Sequence, residues 1–394
     1  MCFRILLTLL CLSLAVPCMA QRKQIGDART ILKSGKNPEQ AEKLMTDLLK
    51  DSANRENTRI YQIWFQSVVK QYEAVNEKMY MKQAVDTAKF FGLARRMFAV
   101  AEQLDSLEMQ PDKKGKVNLQ YRNQNAQLLD TYRPNLFFGG TYHLRKGQFM
   151  PAFEFFEAYL DCARQPLFLN YNYEDTDDRM GEAAYWATYC AYRMGDPVLT
   201  LRHEAEARRD PAKFEFTLQY IAESWKQLGD DSMYVATLRE GFREYPTSDY
   251  FFPRLMDSYT KRGNLEQALA VADEALEVDS LSELFLFAKS TVLLNMGRYE
   301  ESLEYSLRLI ALNEDAADAQ YNAGTAYLNL ALAMDARKNR KQVRKLYQQA
   351  MPHMEAYRRL APAEKGKWGP ALYRIYFNLN MGKQFEEIDQ ILKK

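Results

Sequence analysis

The chain has 394 residues, with 53 Lys and Arg against 52 Asp and Glu, for a formal net charge of +1. A near-neutral balance excludes the strong basic excess with which nucleic-acid binders neutralise phosphates. With 47% apolar residues the chain has material for a sizeable buried core, and it lacks the low hydrophobicity and high net charge of disordered chains.

The first 20 residues read as a secretory leader. Arg4 opens it, Ile5 to Val16 is an almost unbroken apolar run, and Cys18-Met19-Ala20 offers small residues for cleavage before Gln21. The run is shorter than the ~20 residues a membrane-spanning helix needs. Ala15-Val16-Pro17 is a poor lipobox before Cys18, so cleavage near Ala20 is expected, with an exported, periplasmic or extracellular product. Loss of Arg4 leaves 52 basic and 52 acidic side chains. No second long apolar stretch follows, so no membrane span is expected after cleavage. No Asn-x-Ser/Thr acceptor occurs, which favours a bacterial envelope. Cys162 and Cys190 remain, and two readings stand: a bridge stapling the stretch between them, or, preferred, two buried thiols.

From Gln21 to Tyr132 the pattern is helical without a clean repeat. Asn37-Pro38 predicts an N-cap and a first-turn proline, and Ala41, Leu44, Met45, Leu48 and Leu49 share one face. A second helix carries Ile60, Tyr61, Trp64, Phe65, Val68 and Tyr72. A third carries Phe90, Leu93, Met97, Val100 and Leu104. Pro111 to Gly115 predicts a turn, and Asn118 to Tyr132 one more helix ending before Arg133-Pro134. No segment alternates with a period of two between turn residues, so no strand is predicted.

Beyond Tyr132 a ladder of glycines appears: Gly195, Gly229, Gly263 and Gly297 stand 34 residues apart. Ala152, Phe156 and Tyr159 follow Gly147 at offsets of 5, 9 and 12. Ala268, Ala272 and Ala275 follow Gly263 at the same offsets, as do Ser302, Ser306 and Leu309 after Gly297. Leu218, Ile221, Ala222 and Trp225 precede Gly229 in large–large–small–aromatic order, and Pro246 falls 17 residues after it. This pattern resembles the tetratricopeptide repeat. The resemblance covers Arg133 to Lys394 and, without the glycine, extends loosely to Gln21–Tyr132. It implies an all-α fold, a right-handed α-solenoid of antiparallel helix pairs. The expected organisation is a leader (1–20), a degenerate helical region (21–132) and a repeat array (133–394).

Two departures from the period are located by the ladder. The step from Gly147 to Gly195 is 48 residues, with its excess in 165–180, and a lengthened pair near 331–344 ends in the charged tip Arg337 to Lys341. The unit from Gly181 to Phe214 matches least, with Thr200 and Glu204 at small or apolar positions.

Little in the chain points to catalysis. His143, His203 and His353 are far apart, and His203-Glu204 has no second histidine to complete a zinc helix. Glu174, Asp175, Asp177 and Asp178 lack the glycine and distal glutamate of a calcium loop and read as a solvated acidic loop. No catalytic residue, metal site or cofactor is expected. Two buried carboxylates facing each other near the 165–180 loop would be the sign of an enzyme.

In tetratricopeptide arrays the first helix of each pair lines a concave groove. Transfer of those positions gives Phe137, Thr141 and Leu144; Tyr185, Tyr189 and Tyr192; Gln219, Glu223 and Lys226; Pro253, Asp257 and Thr260; Phe287, Thr291 and Leu294; and Tyr321, Thr325 and Leu328. Members that grip a carboxylate use lysines and asparagines at such positions, where this chain offers only Lys226. The resemblance therefore implies a non-enzymatic scaffold whose groove takes an apolar or aromatic segment of a protein partner, and no nucleic acid. A glycan or small ligand stacked on the same tyrosines is the alternative.

Overall fold

In a computed structural model, residues 21–393 are described; the expected leader lies outside them. Every regular element among the described residues is helical. The chain divides into two compact units, Met1–Asp231 and Ser232–Lys394.

The first unit opens with α1 (residues 21–34), α2 (Pro38–Leu48), α3 (Thr58–Tyr80) and α4 (Thr87–Glu108). Ala41, Met45 and Leu48 on α2 and Ile60 and Ile63 on α3 bury against Ala28 of α1. Asn37 does not cap α2 as its sequence suggests. It sits in the left-handed region at φ 53°, its side chain makes no capping bond, and Pro38 alone starts the helix. A polar hub ties α2, α3 and α4 together. Glu42 on α2 accepts from Trp64 Nε1 (3.1 Å) and Gln71 Nε2 (2.5 Å) on α3 and from Arg96 Nη1 (2.8 Å) on α4.

The turn at Pro111–Gly115 closes on Gly115 N–H donating to Asp112 O at 2.8 Å. The next helix, α5 (Arg122–Tyr132), starts four residues later than Asn118. The cause is anchoring of its N-terminus to the end of α4: Arg122 grips Asp105 through Nε and Nη2 at 2.6 and 2.7 Å, and Glu108 accepts from Tyr121 N–H at 3.1 Å. Such two-point charge-assisted pairing overrides the helix propensity of the preceding residues.

α6 (Pro134–Arg145) and α7 (Phe149–Asp161) pair through a glycine turn, Gly147 at φ 69°. Positive φ is nearly free for glycine, which is why glycine stands in this turn. Gly139 and Gly140 do a different job. A Cβ at Gly140 would lie 2.7 Å from the ring of Phe156, which is fully buried. Gly140→Ala should therefore lower stability by about 1–3 kcal/mol, the cost of overpacking, despite the ~1 kcal/mol that helix propensity returns. Denaturant melting measures it; an unchanged midpoint would show that the Phe156 ring moves aside.

The expected excess at 165–180 is folded. A 3₁₀ turn (Pro166–Tyr171) and a single helical turn, α8 (Tyr173–Thr176), bury Leu167, Phe168 and Tyr173 in the same core as α4 to α7. α9 (Met180–Met194) follows and ends at Gly195, φ 73°. Its partner is broken into α10 (Pro197–Leu201) and α11 (Glu204–Ala207), in the stretch that matched the repeat least. α12 (Phe214–Leu228) packs on α9 and closes the unit. Cys162 and Cys190 are free, fully buried members of the core. Burial pushes the Cys190 thiol up to about 12 and Cys162 higher still, so both behave as small apolar groups.

In the second unit α13 (Asp231–Glu244), α14 (Phe251–Lys261), α15 (Leu265–Val278), α16 (Glu283–Asn295), α17 (Tyr299–Leu312), α18 (Ala317–Ala333), α19 (Arg340–Leu360), α20 (Lys365–Leu379) and α21 (Gly382–Lys393) follow in chain order. From α14 on, each helix packs on the next, the arrangement of an α-solenoid. α18 and α19 have 17 and 21 residues, against 11 to 14 in α13 to α17.

Candidate binding surface

The face of α9 defined by Tyr185, Tyr189 and Tyr192 meets α12, and the contact is aromatic throughout. Tyr220 is the centre of it. Its ring lies 6.2 Å from Tyr185, 5.8 Å from Tyr189 and 4.6 Å from Tyr192, stacked at 26° on the last. Trp186 packs on Tyr185 (4.9 Å) and Tyr189 (5.9 Å), and Phe149 of α7 meets Tyr189 edge-on at 6.1 Å. Arg193 lies over Phe149 (4.6 Å) and donates to the Tyr189 hydroxyl at 2.6 Å, which fixes that ring.

Burial pushes the Tyr185 and Tyr220 phenols above their ordinary range. Both stay neutral at any ordinary pH. Tyr185 is 6% exposed and belongs to the interior, whereas Tyr189 and Tyr192 keep partial exposure. Tyr220 escaped the spacing argument because it falls between a groove position, Gln219, and a packing position, Ile221. Only the angle between α9 and α12 aims it at the tyrosine stripe.

The other predicted positions are placed as follows. Phe137 is 7% exposed, wedged against Phe156 (5.6 Å) and Tyr159 (5.7 Å), and Thr141 turns its hydroxyl to the Phe137 carbonyl. Gln219 Nε2 reaches Glu215 at 3.4 Å, and Glu223 sits 4.0 Å from Lys226. In the second unit, Phe287 packs beside Leu286, Leu309 and Ala319, while Tyr321 lies against Tyr357 at 4.9 Å. Thr291 is taken up internally: Asn322 Nδ2 donates to its hydroxyl (2.9 Å) and to that of Ser290 (3.0 Å). Leu328 is buried.

One acid of the 165–180 loop is largely withdrawn from solvent, with its side chain 15% exposed. Asp177 accepts from Arg133 Nη1 and from the Tyr159 hydroxyl, both at 2.5 Å. Burial alone would raise its pKa, but hydrogen bonds from Tyr159 and Arg133 hold it below the usual carboxylate range. The Arg133 guanidinium is sandwiched between the rings of Tyr159 and Tyr173, 3.8 Å from each centroid, and Nη2 donates to Tyr159 O at 3.1 Å. Glu174, Asp175 and Asp178 are exposed.

Among the described acids, the one pushed furthest from its ordinary value lies elsewhere. Burial, with Asp161 adding repulsion, raises Glu102 of α4 to about 7. It edges a shallow cleft with Tyr61, Gln103 and Ser106, where no histidine, lysine or cysteine joins it. His203 is buried with both ring nitrogens unpartnered, and burial lowers its pKa. His143 pairs with Gln148 and His353 with Gln320, each at 2.7 Å. Among the described residues no group of three His, Cys, Asp or Glu is placed to hold a metal ion, and no helix is long and apolar enough to cross a membrane.

No family model matches the chain, and no curated protein matches it. Solved structures do. The C-terminal part of a TPR repeat-containing protein from Cytophaga hutchinsonii aligns over 64% of this chain and 92% of its own, at 11% identity and TM-score 0.42. A tetratricopeptide repeat protein from Parabacteroides merdae aligns over 66% and 97%, at 16% identity and TM-score 0.35. YrrB, a TPR protein with an unusual peptide-binding site, aligns over 50% and 97%, at 16% and 0.33. Every TM-score is below 0.5, so the chain's own repeat geometry identifies the array. Gly147, Gly195, Gly229, Gly263 and Gly297 all turn at positive φ. The residues at offsets 5, 9 and 12 from Gly147, Gly263 and Gly297 are all at most 3% exposed. The fold is a tetratricopeptide-like array of helix pairs joined by glycine turns. In such an array the buried small residues let paired helices approach closely, and the larger ones fill the space to the next pair.

Proposed function

We propose that this tetratricopeptide-type chain is a non-enzymatic protein-interaction scaffold of the cell envelope, exported behind its leader. It holds an apolar or aromatic polypeptide segment against the tyrosine face of α9 and α12. The observation that carries the reading is the ring cluster around Tyr220, with Tyr189 and Tyr192 still partly exposed at its rim. Rings already fixed by stacking and by Arg193 lose little freedom on binding, so the surface is preorganised. The stack of Tyr192 on Tyr220 covers one face of each ring, which favours edge and hydroxyl contacts with a peptide over the open platforms a sugar needs.

A displayed peptide library tests it. Apolar and aromatic peptides should be enriched, and Tyr189→Ala with Tyr192→Ala should weaken their capture about tenfold or more, the loss of roughly 1.4 kcal/mol. Melting should shift by only a few degrees, because Tyr185, the buried member, is left in place. Undiminished capture by the double variant rejects this face. Binding of a soluble oligosaccharide panel, abolished by the same changes, would favour the glycan reading.

A further inference from the structure

The lengthened α18–α19 pair creates a surface with no counterpart in the regular repeats. Arg340, Val343, Arg344 and Tyr347 stand at i, i+3, i+4 and i+7 on α19 and so share one face. With the end of α20 and the start of α21 this face encloses a cavity of about 660 Å³ whose apolar wall includes Tyr347, Phe377 and Phe385. A second cavity of about 600 Å³ shares Tyr347 and Phe377 with it and adds Arg374. The two form one trough. Phe377 is 64% exposed between them and packs on Phe385 at 5.8 Å.

The charges of this trough are uncompensated. Among the described residues Arg340, Arg344 and Arg374 have no ion-pair partner, whereas Arg358 and Arg359 farther along α19 are paired with Glu387 (2.8 Å) and Asp315 (3.3 Å). Asp389, the one described carboxylate lining either cavity, is engaged by Lys393 at 2.6 Å. Guanidinium groups beside an aromatic wall suit a ligand that brings carboxylates and an apolar side chain together. A small free anion would leave the aromatic wall wet, and a nucleic acid would need a basic surface wider than this near-neutral chain provides.

We propose that this trough is a second binding site, for an acidic polypeptide segment with an aromatic side chain. The carboxylates of the segment pair with Arg340 and Arg344, and its ring lies against Phe377 and Phe385. The site is in the second unit and shares no residue with the tyrosine face of α9.

The test is fluorescence anisotropy on the full chain with a labelled Gly-Asp-Glu-Phe-Glu-Gly peptide. The expected result is saturable binding that weakens with salt. It should fall about tenfold or more for Arg340→Glu with Arg344→Glu, and several-fold for Phe377→Ala, tenfold being the loss of roughly one good charged contact. The Asn/Gln version of the peptide and the version with Ala for Phe should both bind more weakly. Tyr189→Ala with Tyr192→Ala should leave this binding unchanged, which separates the two sites. The arginines and Phe377 are solvent-facing, so their variants should keep the parent's circular dichroism and melting. Absence of binding, equal binding by the arginine variant, or equal affinity for a decathymidine overturns the proposal.

Discussion

Replacing Arg133 by alanine should cost the protein about 3–5 kcal/mol, the penalty for removing one partner of a buried ion pair. Arg133 is 5% exposed, and its loss would leave Asp177 charged beside a void between Tyr159 and Tyr173. The substitution would also free the 165–180 segment, since Arg133 joins the start of α6 to Asp177 and to the Tyr159 carbonyl at the end of α7. Arg133→Lys should recover only part of the loss, because an ammonium neither fills the slot between two rings nor reaches two acceptors in one plane. Arg133→Met with Asp177→Asn should be far milder than Arg133→Ala, since no charge is then stranded. Urea unfolding of the four proteins measures this. A Met/Asn double variant as unstable as Arg133→Ala would show that the ring sandwich, and not the charge, carries the energy. Proteolysis within 165–180 should rise in Arg133→Ala.

Stability should fall between about pH 4.5 and pH 7 through Glu102, by up to about 3 kcal/mol, at 1.36 kcal/mol per pKa unit. The sign follows from where the proton sits. In the unfolded chain Glu102 ionises near its ordinary value of 4.5, while in the fold burial keeps it protonated to about 7. The unfolded state therefore releases the proton first, and each pH step in that window favours unfolding. Above pH 7 the loss is complete and the curve levels. Glu102→Gln should remove this slope and raise stability at pH 8 by about 2–3 kcal/mol. His203 acts in the opposite sense. Its lowered pKa means that stability is lost as pH falls below about 6.5, where the unfolded imidazole takes up a proton and the buried one resists. Comparing Glu102→Gln with the parent at each pH separates the two. Parallel curves from pH 5 to pH 8 would show that Glu102 is solvated and ionises normally.

The repeat core was legible because its signal is local. Ala268, Ala272 and Ala275 have to be small for one helix to lie close to its partner, and Gly263 has to turn at positive φ, so both are written into a 34-residue period. The same logic located both departures from the period and the weak unit whose second helix breaks into α10 and α11. Local rules failed in two ways, one through the backbone of a turn and one through a distant partner. Asn37 has good capping chemistry, yet the turn holds it in the left-handed region and its side chain caps nothing. Asp177 looks like one of several solvated acids until the fold brings Arg133, 44 residues away, against it.

By itself, then, the amino-acid sequence determined an all-α array of helix pairs, the spacing of its turns and the small residues between paired helices. Each of these depends on contacts between residues a few positions apart or one repeat apart. The tertiary structure alone decided what each candidate side chain does. Tyr185 and Phe137 turn inward, Tyr220 joins the stripe from the neighbouring helix, and Arg340 and Arg344 are left without carboxylates beside Phe377. Those outcomes depend on crossing angles and on which charges meet across helices, and helical periodicity carries no information about either.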